Sequence, residues 1–192
     1  VPRAQATRLR RSLARWRRQL GRKRVLTEPQ TLERYGRTNL ARAPGILAVL
    51  RPGRAGQVSG VLRVAREHRI PLYPISRGLN WGWGEACPVR EGQVVLDLGS
   101  LDRIVEVNSE LGYAVVEPGV TQGQLARALA ARAPRWWLES TNAGPETSVL
   151  GNTLERGLGS GDRTASLCGL EAVLPDGKTL RTGFGNFPRS RV

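Results

Sequence analysis

The sequence predicts an α+β or mixed α/β fold with one main domain, and three patterns support this class. Apolar runs with the length of a strand, such as 46–50, alternate with segments of helical periodicity, such as 55–68. Near the end, two apolar runs flank Pro175-Asp176-Gly177, which is typical of a β-hairpin turn. The glycines gather in two places, the first glycine loop at 74–84 and the second glycine loop at 151–162. A chain of 192 residues is long enough to bury a core of its own.

The first element is a basic amphipathic helix. Its apolar residues recur at spacings of 4, 3 and 4 and form one stripe: Leu9, Leu13, Trp16 and Leu20. Residues 3–24 carry ten basic side chains and no acidic one, so the net charge of +14 comes mainly from this segment. One interpretation is a surface helix that packs its stripe on the body. The other is an arm that contacts an acidic partner, an anionic membrane surface or nucleic acid, although the chain has no signature of a nucleic-acid-binding module.

The next elements open the main body. Thr27 and Gln30 have the spacing of a capping box, which predicts the start of a short helix. The apolar run 46–50 predicts a strand, 55–68 a helix and 70–75 a second strand. This order predicts a β-α-β unit.

The second half of the body is also predicted to mix strands and helices. Short strands are predicted at 94–98, 103–107 and 113–118, with turn residues between them. Thr121 is expected to cap a helix that runs to Arg132, and a loop of small and polar residues follows at 140–148. The terminal hairpin comes after the second glycine loop.

Cysteine usage and hydropathy exclude several classes of protein. Cys87 and Cys168 lie far apart and form no CxxC pair, so neither a disulfide framework nor a zinc site is expected, and no metal is predicted. No apolar run approaches the roughly 18 residues of a membrane span, and the arginine-rich N-terminal segment does not resemble a signal peptide. A reducing cytoplasm is the expected location.

Neither glycine loop fits a standard phosphate-binding motif. The dinucleotide fingerprint GxGxxG fails because Cys87 and Asp162 stand where the third glycine belongs. Gly177-Lys178-Thr179 ends like a P-loop, but Ala172 replaces the first glycine and the segment is predicted to be a hairpin. The bare backbone of such loops can nevertheless approach an anion closely.

The side chains offer little catalytic chemistry of their own. His68 is the only histidine and lies at the end of a predicted helix, where a capping or solvated role is expected. Glu117 and Glu171 are lone acids in apolar runs, which is typical of residues that cap neighbouring backbone groups. No catalytic residue is assigned, and a cofactor is expected to supply the reactivity.

The order of four motifs carries a resemblance to a known family: PISRGLNWGWG, VVLDLGSLDRIVEVNSELGYAVVEPGVT, GNTLERGLG and CGLEAVLPDGKTLRTG. Over residues 44–184 the chain resembles the FAD-binding, PCMH-type domain of the vanillyl-alcohol oxidase and p-cresol methylhydroxylase flavoproteins. VLTEPQTLERYGRTN is similar to the family's N-terminal approach to this domain. Each motif alone is weak, but four in the family's order make a specific match.

The resemblance implies two α+β subdomains with FAD extended between them. It assigns fifteen residues to cofactor binding: Ser76, Arg77, Gly78, Leu79, Asn80, Trp81, Pro118, Gly119, Val120, Gly151, Asn152, Gly157, Gly159, Glu171 and Val173. The residues at 76–81 would surround the diphosphate, and those at 118–120 would lie along the ribityl chain. The second glycine loop would form the opposite wall, and 171–173 would run near the adenine.

Two departures from the family bear on the expected chemistry. Leu79 stands where many members have the histidine that attaches FAD covalently, so attachment through this loop is excluded and FAD is expected to be non-covalent as far as this chain shows. The resemblance also ends where the family's substrate domain, or cap, would begin. The expected organisation is a basic helical arm at 1–43 and a cap-less FAD-binding domain at 44–192.

The resemblance implies the FAD-binding part of an FAD-dependent oxidase or dehydrogenase, in which a hydride passes from substrate to flavin N5. An alternative is a non-catalytic domain that has lost its cap and serves as a binding or interaction module. A third interpretation is a subunit whose substrate domain comes from a partner chain. The basic helix and the missing cap motivate these two alternatives.

Overall fold

The chain folds into a mixture of helices and sheets, in agreement with the predicted class. A computed structural model describes five segments: residues 3–39, 43–80, 84–138, 144–154 and 163–184. The chain divides into two compact units. Unit 1 comprises Val1–Ser100 and Val173–Thr179, and unit 2 comprises Leu101–Ala172 and Leu180–Val192.

The predicted elements occur in the predicted order. The first 100 residues contain α1 (Arg3–Leu20), β1 (Val25–Leu26), α2 (Pro29–Tyr35), β2 (Ile46–Leu50), α3 (Gly56–Glu67), β3 (Leu72–Ile75), β4 (Leu79–Asn80), β5 (Gly84–Glu85) and β6 (Gln93–Asp97). The remainder contains β7 (Ile104–Asn108), β8 (Tyr113–Val116), α4 (Gln122–Arg132), α5 (Val149–Leu154), β9 (Gly169–Val173) and β10 (Thr179–Gly183). Short 3₁₀ turns lie at Arg22–Arg24 and Arg163–Ser166. Strands β1, β4 and β5 and helix α5 are additional to the predicted elements.

The main sheet of unit 1 has the strand order β1-β2-β6-β3. Strand β1 is antiparallel to β2, whereas β2, β6 and β3 run parallel. The β-α-β prediction is therefore confirmed in its elements, but β6 pairs between the two predicted strands. Because the three strands are parallel, their carboxyl ends meet at one edge of the sheet.

Side-chain alternation along the sheet separates two apolar layers. One face joins α1 and α3 in a cluster that includes Ala48, Leu50, Val94, Leu96, Trp16 and Val61. The other face forms a second cluster with Ile46, Val49, Ile75 and Val95, against which Leu32 and Tyr35 of α2 pack. Since successive residues of a strand point to opposite faces, Asp97 lies on the same face as Val95.

Helix α1 packs through the predicted stripe. Trp16 is fully buried, Leu20 is buried, and Leu9 and Leu13 pack against the same cluster. The indole Nε1 of Trp16 donates a hydrogen bond of 3.2 Å to the carbonyl oxygen of Val61 in α3. This agrees with the interpretation of a surface helix packed on the body, and a contact between its arginines and an anionic partner stays a prediction.

The two predicted helix caps have different outcomes. Thr121 forms a full capping box with Gln124 at the start of α4, as its position predicted. The predicted capping box of Thr27 with Gln30 is wrong, because α2 begins at Pro29 with Glu28 as its N-cap. Proline favours the first helical position and holds the preceding residue extended, which moves the helix start past Thr27.

The terminal hairpin is confirmed as β9 and β10. Gly177 has a φ of +82°, and its amide donates to the carbonyl oxygen of Leu174. The Lys178 amide donates to Asp176 Oδ1 at 2.9 Å, so the segment that ends like a P-loop is a hairpin turn. The tip also contacts α3 of the same unit, since Ser59 Oγ donates to the Gly177 carbonyl oxygen at 2.6 Å.

Candidate functional site

The first candidate region lies at the carboxyl edge of the parallel strands. Ser76 and Arg77 follow β3 directly, Gly99 follows β6, and Arg51 follows β2. Loops at this edge bind ligands in open α/β sheets because their backbone groups are free of the strand ladder. The topology therefore places the start of the first glycine loop where a ligand is expected.

Gly78 allows the first glycine loop to turn. Its φ is +63°, a left-handed conformation that favours glycine, and an added Cβ would lie 2.9 Å from the Ala86 Cβ and 3.0 Å from the Ala86 Cα. After this turn β4 pairs antiparallel with β5. Each strand has two residues, and Leu79 lies opposite Glu85. Leu79 is half exposed. Trp81 lies outside the described residues.

Gly99 is a second glycine that packs closely, here against Ser76 and Asp97. The sequence analysis did not single it out. An added Cβ would lie 3.0 Å from the Ser76 carbonyl oxygen and 2.9 Å from Asp97 Oδ1. The Gly99 amide donates to Asp97 Oδ1 at 2.8 Å, and its carbonyl oxygen accepts from Arg77 Nη1 at 3.3 Å. Gly99 thus connects the end of β6 to the first glycine loop.

A buried polar network contacts this turn through Asp97. Asp97 is 6 % exposed, and its Oδ2 accepts a hydrogen bond of 2.5 Å from the Tyr35 hydroxyl and lies 3.2 Å from Arg51 Nε. Burial is the larger cause and the hydrogen bond to Asp97 the next; together they raise the pKa of Tyr35 to about 12. Tyr35 therefore keeps its proton at neutral pH and remains a donor to Asp97.

The second candidate region is the Ser148 cluster of unit 2, which consists of Pro118–Val120 and Ser148–Asn152. Ser148 Oγ donates to the Pro118 carbonyl oxygen at 2.8 Å and accepts from the Gly151 amide at 3.0 Å. The Val149 amide donates to the Val120 carbonyl oxygen at 3.0 Å. Two predicted segments that lie about 30 residues apart are thereby held together. Ser148 is 6 % exposed, and the sequence analysis missed it.

Gln122 adds a test of whether this region suits a ligand with hydrogen-bond donors. It is 6 % exposed, yet its Oε1 is buried and has no hydrogen-bond partner among the described residues. A buried acceptor without a partner costs free energy unless a donor from outside the chain satisfies it. Gln122 lies two residues after Val120, so a group that carries hydroxyl or ring N–H donors fits this region.

Of the remaining predicted residues, two lie in β9 and two lie outside the described residues. Glu171 is an exposed residue of β9 and forms an ion pair with Arg181, at 2.9 Å from its Oε2 to the arginine Nε. Val173 ends the same strand. Gly157 and Gly159 lie outside the described residues. The structure therefore brings together 118–120 with 151–152, and 76–78 with the end of β6.

Replacing Ser148 with alanine is expected to loosen the Ser148 cluster. The change leaves the Gly151 amide and the Pro118 carbonyl oxygen without this partner, so the free energy of unfolding should fall by about 1–3 kcal/mol. Urea denaturation measures the change. Ser166→Ala, at an exposed position of unit 2, is the matched control and should have no measurable effect. Equal stability of the two variants would contradict the role given to Ser148.

Glu117 shows the capping role that its position predicted. It is buried, its Oε2 accepts from the Arg103 amide at 3.0 Å, and its Oε1 accepts from the Arg103 guanidinium at 2.8 Å. Burial acts to raise the pKa of Glu117, but the hydrogen bonds and the positive charge of Arg103 together outweigh burial and hold the pKa below its ordinary value. The charged form of Glu117 is therefore favoured by folding.

The pH dependence of stability follows from this lowered pKa. The contribution of Glu117 is complete above the pKa of the unfolded chain, about 4.3, and is lost as the pH falls through the lower folded value. Glu117→Gln should lower the free energy of unfolding by about 1 kcal/mol at pH 7, and this deficit should shrink below about pH 5. Urea denaturation between pH 3 and pH 7 measures it, with exposed Glu110→Gln as the control. A deficit independent of pH would contradict the assignment.

The described residues lack the side-chain grouping of a metal site and the helix of a membrane span. They contain no group of three or more His, Cys, Asp or Glu side chains that could hold a metal ion. Among their helices, none combines the length and the hydropathy needed to cross a bilayer. The two cysteines are free thiols, Cys87 buried and Cys168 exposed.

Comparison with known proteins identifies the class of this domain. A family described as "FAD binding domain" matches residues 46–183, which is most of the chain. The chain is 43 % identical over 187 residues to 1'-carboxy-chondrochloren decarboxylase of Chondromyces crocatus, covering 96 % of this chain and 35 % of that protein. It is 38 % identical over 181 residues to the 4-cresol dehydrogenase [hydroxylating] flavoprotein subunit of Pseudomonas putida, covering 90 % and 34 %. The chain thus spans about a third of the length of these relatives.

Two solved structures are similar to this chain over almost its whole length. Substrate-bound p-cresol methylhydroxylase superposes with a TM-score of 0.89 at 34 % identity, covering 96 % of this chain and 37 % of that one. 4-Ethylphenol oxidase from Gulosibacter chungangensis gives 0.87 at 33 % identity, covering 97 % and 37 %. The chain is an FAD-binding domain of the FAD-linked oxidoreductases. Within that class it belongs to the PCMH-type domains of the vanillyl-alcohol oxidase and p-cresol methylhydroxylase family, and its cofactor is FAD.

Proposed function

We propose that this chain is the FAD-binding part of an FAD-dependent oxidase or dehydrogenase that removes a hydride from a substrate carbon. Bound FAD would supply the acceptor of that hydride at its N5 atom. The observation that carries the proposal is the bare backbone at Gly78 and Gly99 on the carboxyl edge of the parallel strands. A Cβ on Gly78 would lie 2.9 Å from the Ala86 Cβ, and one on Gly99 would lie 3.0 Å from the Ser76 carbonyl oxygen, both closer than ordinary van der Waals contact.

Each region would have its own task in holding FAD. In unit 1, backbone and side-chain donors of Ser76–Asn80 and Trp81 would bind the diphosphate, whose negative charge strengthens such hydrogen bonds. In unit 2, Pro118–Val120 would lie along the ribityl chain, with Gly151 and Asn152 beside them. Gln122, two residues further along the chain, adds a buried acceptor, Oε1, that has no hydrogen-bond partner among the described residues.

The absence of a histidine at Leu79 supports non-covalent binding through the first glycine loop. The chain's own residues would therefore bind and orient the cofactor and exclude water around it. About two-thirds of each relative lies outside the matched region. We propose that the residues that recognise the substrate belong to the equivalent of that part, in the same or a partner polypeptide. The Pseudomonas putida relative is itself described as a flavoprotein subunit.

An absorbance spectrum of the purified chain, before and after addition of FAD, tests the proposal. Flavin bands that stay with the protein on gel filtration and are released on denaturation are the expected result. Flavin that stays attached after denaturation would contradict non-covalent binding. A colourless protein that takes up no FAD at micromolar concentration would overturn the proposed function for this chain.

A further inference from the structure

We propose that Asp97, held by Tyr35, is a positioning residue for the first glycine loop and thereby sets the affinity for FAD. The inference rests on the proposed function, because that function assigns Ser76–Asn80 to the cofactor. Neither Asp97 nor Tyr35 belongs to the set of residues assigned to FAD above. Their role is argued from four contacts within unit 1.

The carboxylate of Asp97 is buried, and both of its oxygens accept hydrogen bonds from other groups of the protein. Oδ1 accepts from the Gly99 amide at 2.8 Å, whereas Oδ2 accepts from the Tyr35 hydroxyl at 2.5 Å and lies 3.2 Å from Arg51 Nε. A buried carboxylate is tolerated only when it is paired and hydrogen-bonded in this way. Asp97 therefore acts through the groups that it orients.

The group that Asp97 orients is the turn next to the first glycine loop. Strand pairing sets Ile75 opposite Asp97, so the ends of β3 and β6 are in register. The Gly99 carbonyl oxygen accepts from Arg77 Nη1 at 3.3 Å, and the Gly99 Cα is packed so closely that a Cβ would lie 3.0 Å from the Ser76 carbonyl oxygen. Gly99 therefore links the carboxylate of Asp97 to Arg77 by hydrogen bonds and lies close to the backbone of Ser76.

Tyr35 fixes the rotamer of Asp97 from the other side. Its ring packs on the apolar cluster of Ile46, Val49, Ile75 and Val95, and only its hydroxyl reaches the carboxylate. Phenylalanine would keep the ring packing and remove this one hydrogen bond. Tyr35→Phe thus changes the orientation of Asp97 while the apolar contacts of α2 remain.

The experiment compares the FAD affinities of wild-type protein, Tyr35→Phe and Asp97→Asn by titration of flavin fluorescence. We expect Tyr35→Phe to weaken binding about tenfold and Asp97→Asn about a hundredfold, because the lost hydrogen bonds involve a charged group. Tyr113→Phe is the matched control. It removes a similar tyrosine–carboxylate hydrogen bond, to Glu106 Oε1 at 2.8 Å in unit 2, and should change the affinity less than twofold.

A second measurement separates positioning from a loss of stability. In the ligand-free protein, the Gly99 amide proton is hydrogen-bonded to a carboxylate, so its NMR resonance should lie downfield and should move upfield in Tyr35→Phe and Asp97→Asn. Urea denaturation should show similar losses for Tyr35→Phe and Tyr113→Phe, although only the first weakens FAD binding. Should Asp97→Asn fail to fold, Tyr35→Phe alone decides the question.

The outcomes separate this inference from the proposed function. If the wild-type chain binds FAD and Tyr35→Phe binds it equally well, with the Gly99 resonance unchanged, the positioning role is overturned and the proposed function stands. If the wild-type chain takes up no FAD, the proposed function fails, and the effect of Asp97 on FAD affinity fails with it. Weaker binding by Tyr35→Phe, with a shifted Gly99 resonance and an unaffected Tyr113→Phe, supports the inference.

Discussion

Replacement of Gly78 with alanine is expected to weaken FAD binding at least about tenfold and to destabilise unit 1 by about 1–3 kcal/mol. Two causes act together. The φ of +63° places any other residue in the strained left-handed region, and the new Cβ would lie 3.0 Å from the Ala86 Cα and 3.1 Å from its backbone nitrogen. Because these are backbone atoms, the strain is relieved only by a movement of the loop itself.

Gly56→Ala is the matched control for this prediction. Gly56 begins α3 without a left-handed φ, and no atom lies within 4 Å of an added Cβ, so alanine should be neutral or slightly stabilising there. Fluorescence titration gives the FAD affinity of both variants, and urea denaturation gives their stability. If Gly78→Ala binds FAD as tightly as Gly56→Ala does, the first glycine loop is not the diphosphate site.

Local patterns in the sequence predicted the elements well because each depends on neighbouring residues. The strand at 46–50 agrees with β2 residue for residue, and Thr121 caps α4 as predicted. The order of strands could not be predicted in the same way. That β6 pairs between β2 and β3 depends on contacts between segments that are remote in sequence, for which the periodicity of each segment carries no information.

The candidate site shows the same division between local and remote signals. Gly78 lies in a local cluster of glycines, and the resemblance of that stretch to the family assigned it to the cofactor; its positive φ agrees with the conformational freedom of glycine. Asp97 looks like an ordinary strand residue in VVLDL, and only its hydrogen bond with Tyr35, 62 positions away, reveals its part in the site. Ser148 was missed for the same reason, since its partner Pro118 is 30 positions away.

The N-terminal helix raises a question of organisation that the sequence left open. The division into an arm at 1–43 and a domain at 44–192 stays a prediction, whereas the packing of α1 is described directly. Exposed arginines on α1 contribute to the positive charge, and Arg15 forms an ion pair with Glu67 of α3. Exposed ion pairs of this kind contribute little to stability. The attachment of α1 therefore depends on its buried apolar stripe.

Trp16→Ala is expected to lower the free energy of unfolding of unit 1 by about 3–5 kcal/mol. The side chain is fully buried, so its removal loses the transfer free energy of an indole and leaves a cavity in the cluster that joins α1, α3 and the sheet. It also removes the hydrogen bond to the Val61 carbonyl oxygen. Trp16→Phe should retain part of this packing and lose less, about 1–3 kcal/mol.

Trp137→Ala provides the control, since Trp137 is 85 % exposed and its loss should change stability by less than about 0.5 kcal/mol. Urea denaturation followed by the fluorescence of the remaining tryptophans measures all three variants. A loss of several kcal/mol in Trp16→Ala would mean that α1 belongs to the core of unit 1, and a boundary at residue 43 would then divide one folding unit. If Trp16→Ala were as stable as Trp137→Ala, α1 would be a separable arm, and its arginines would be free to serve a partner without a cost to the fold.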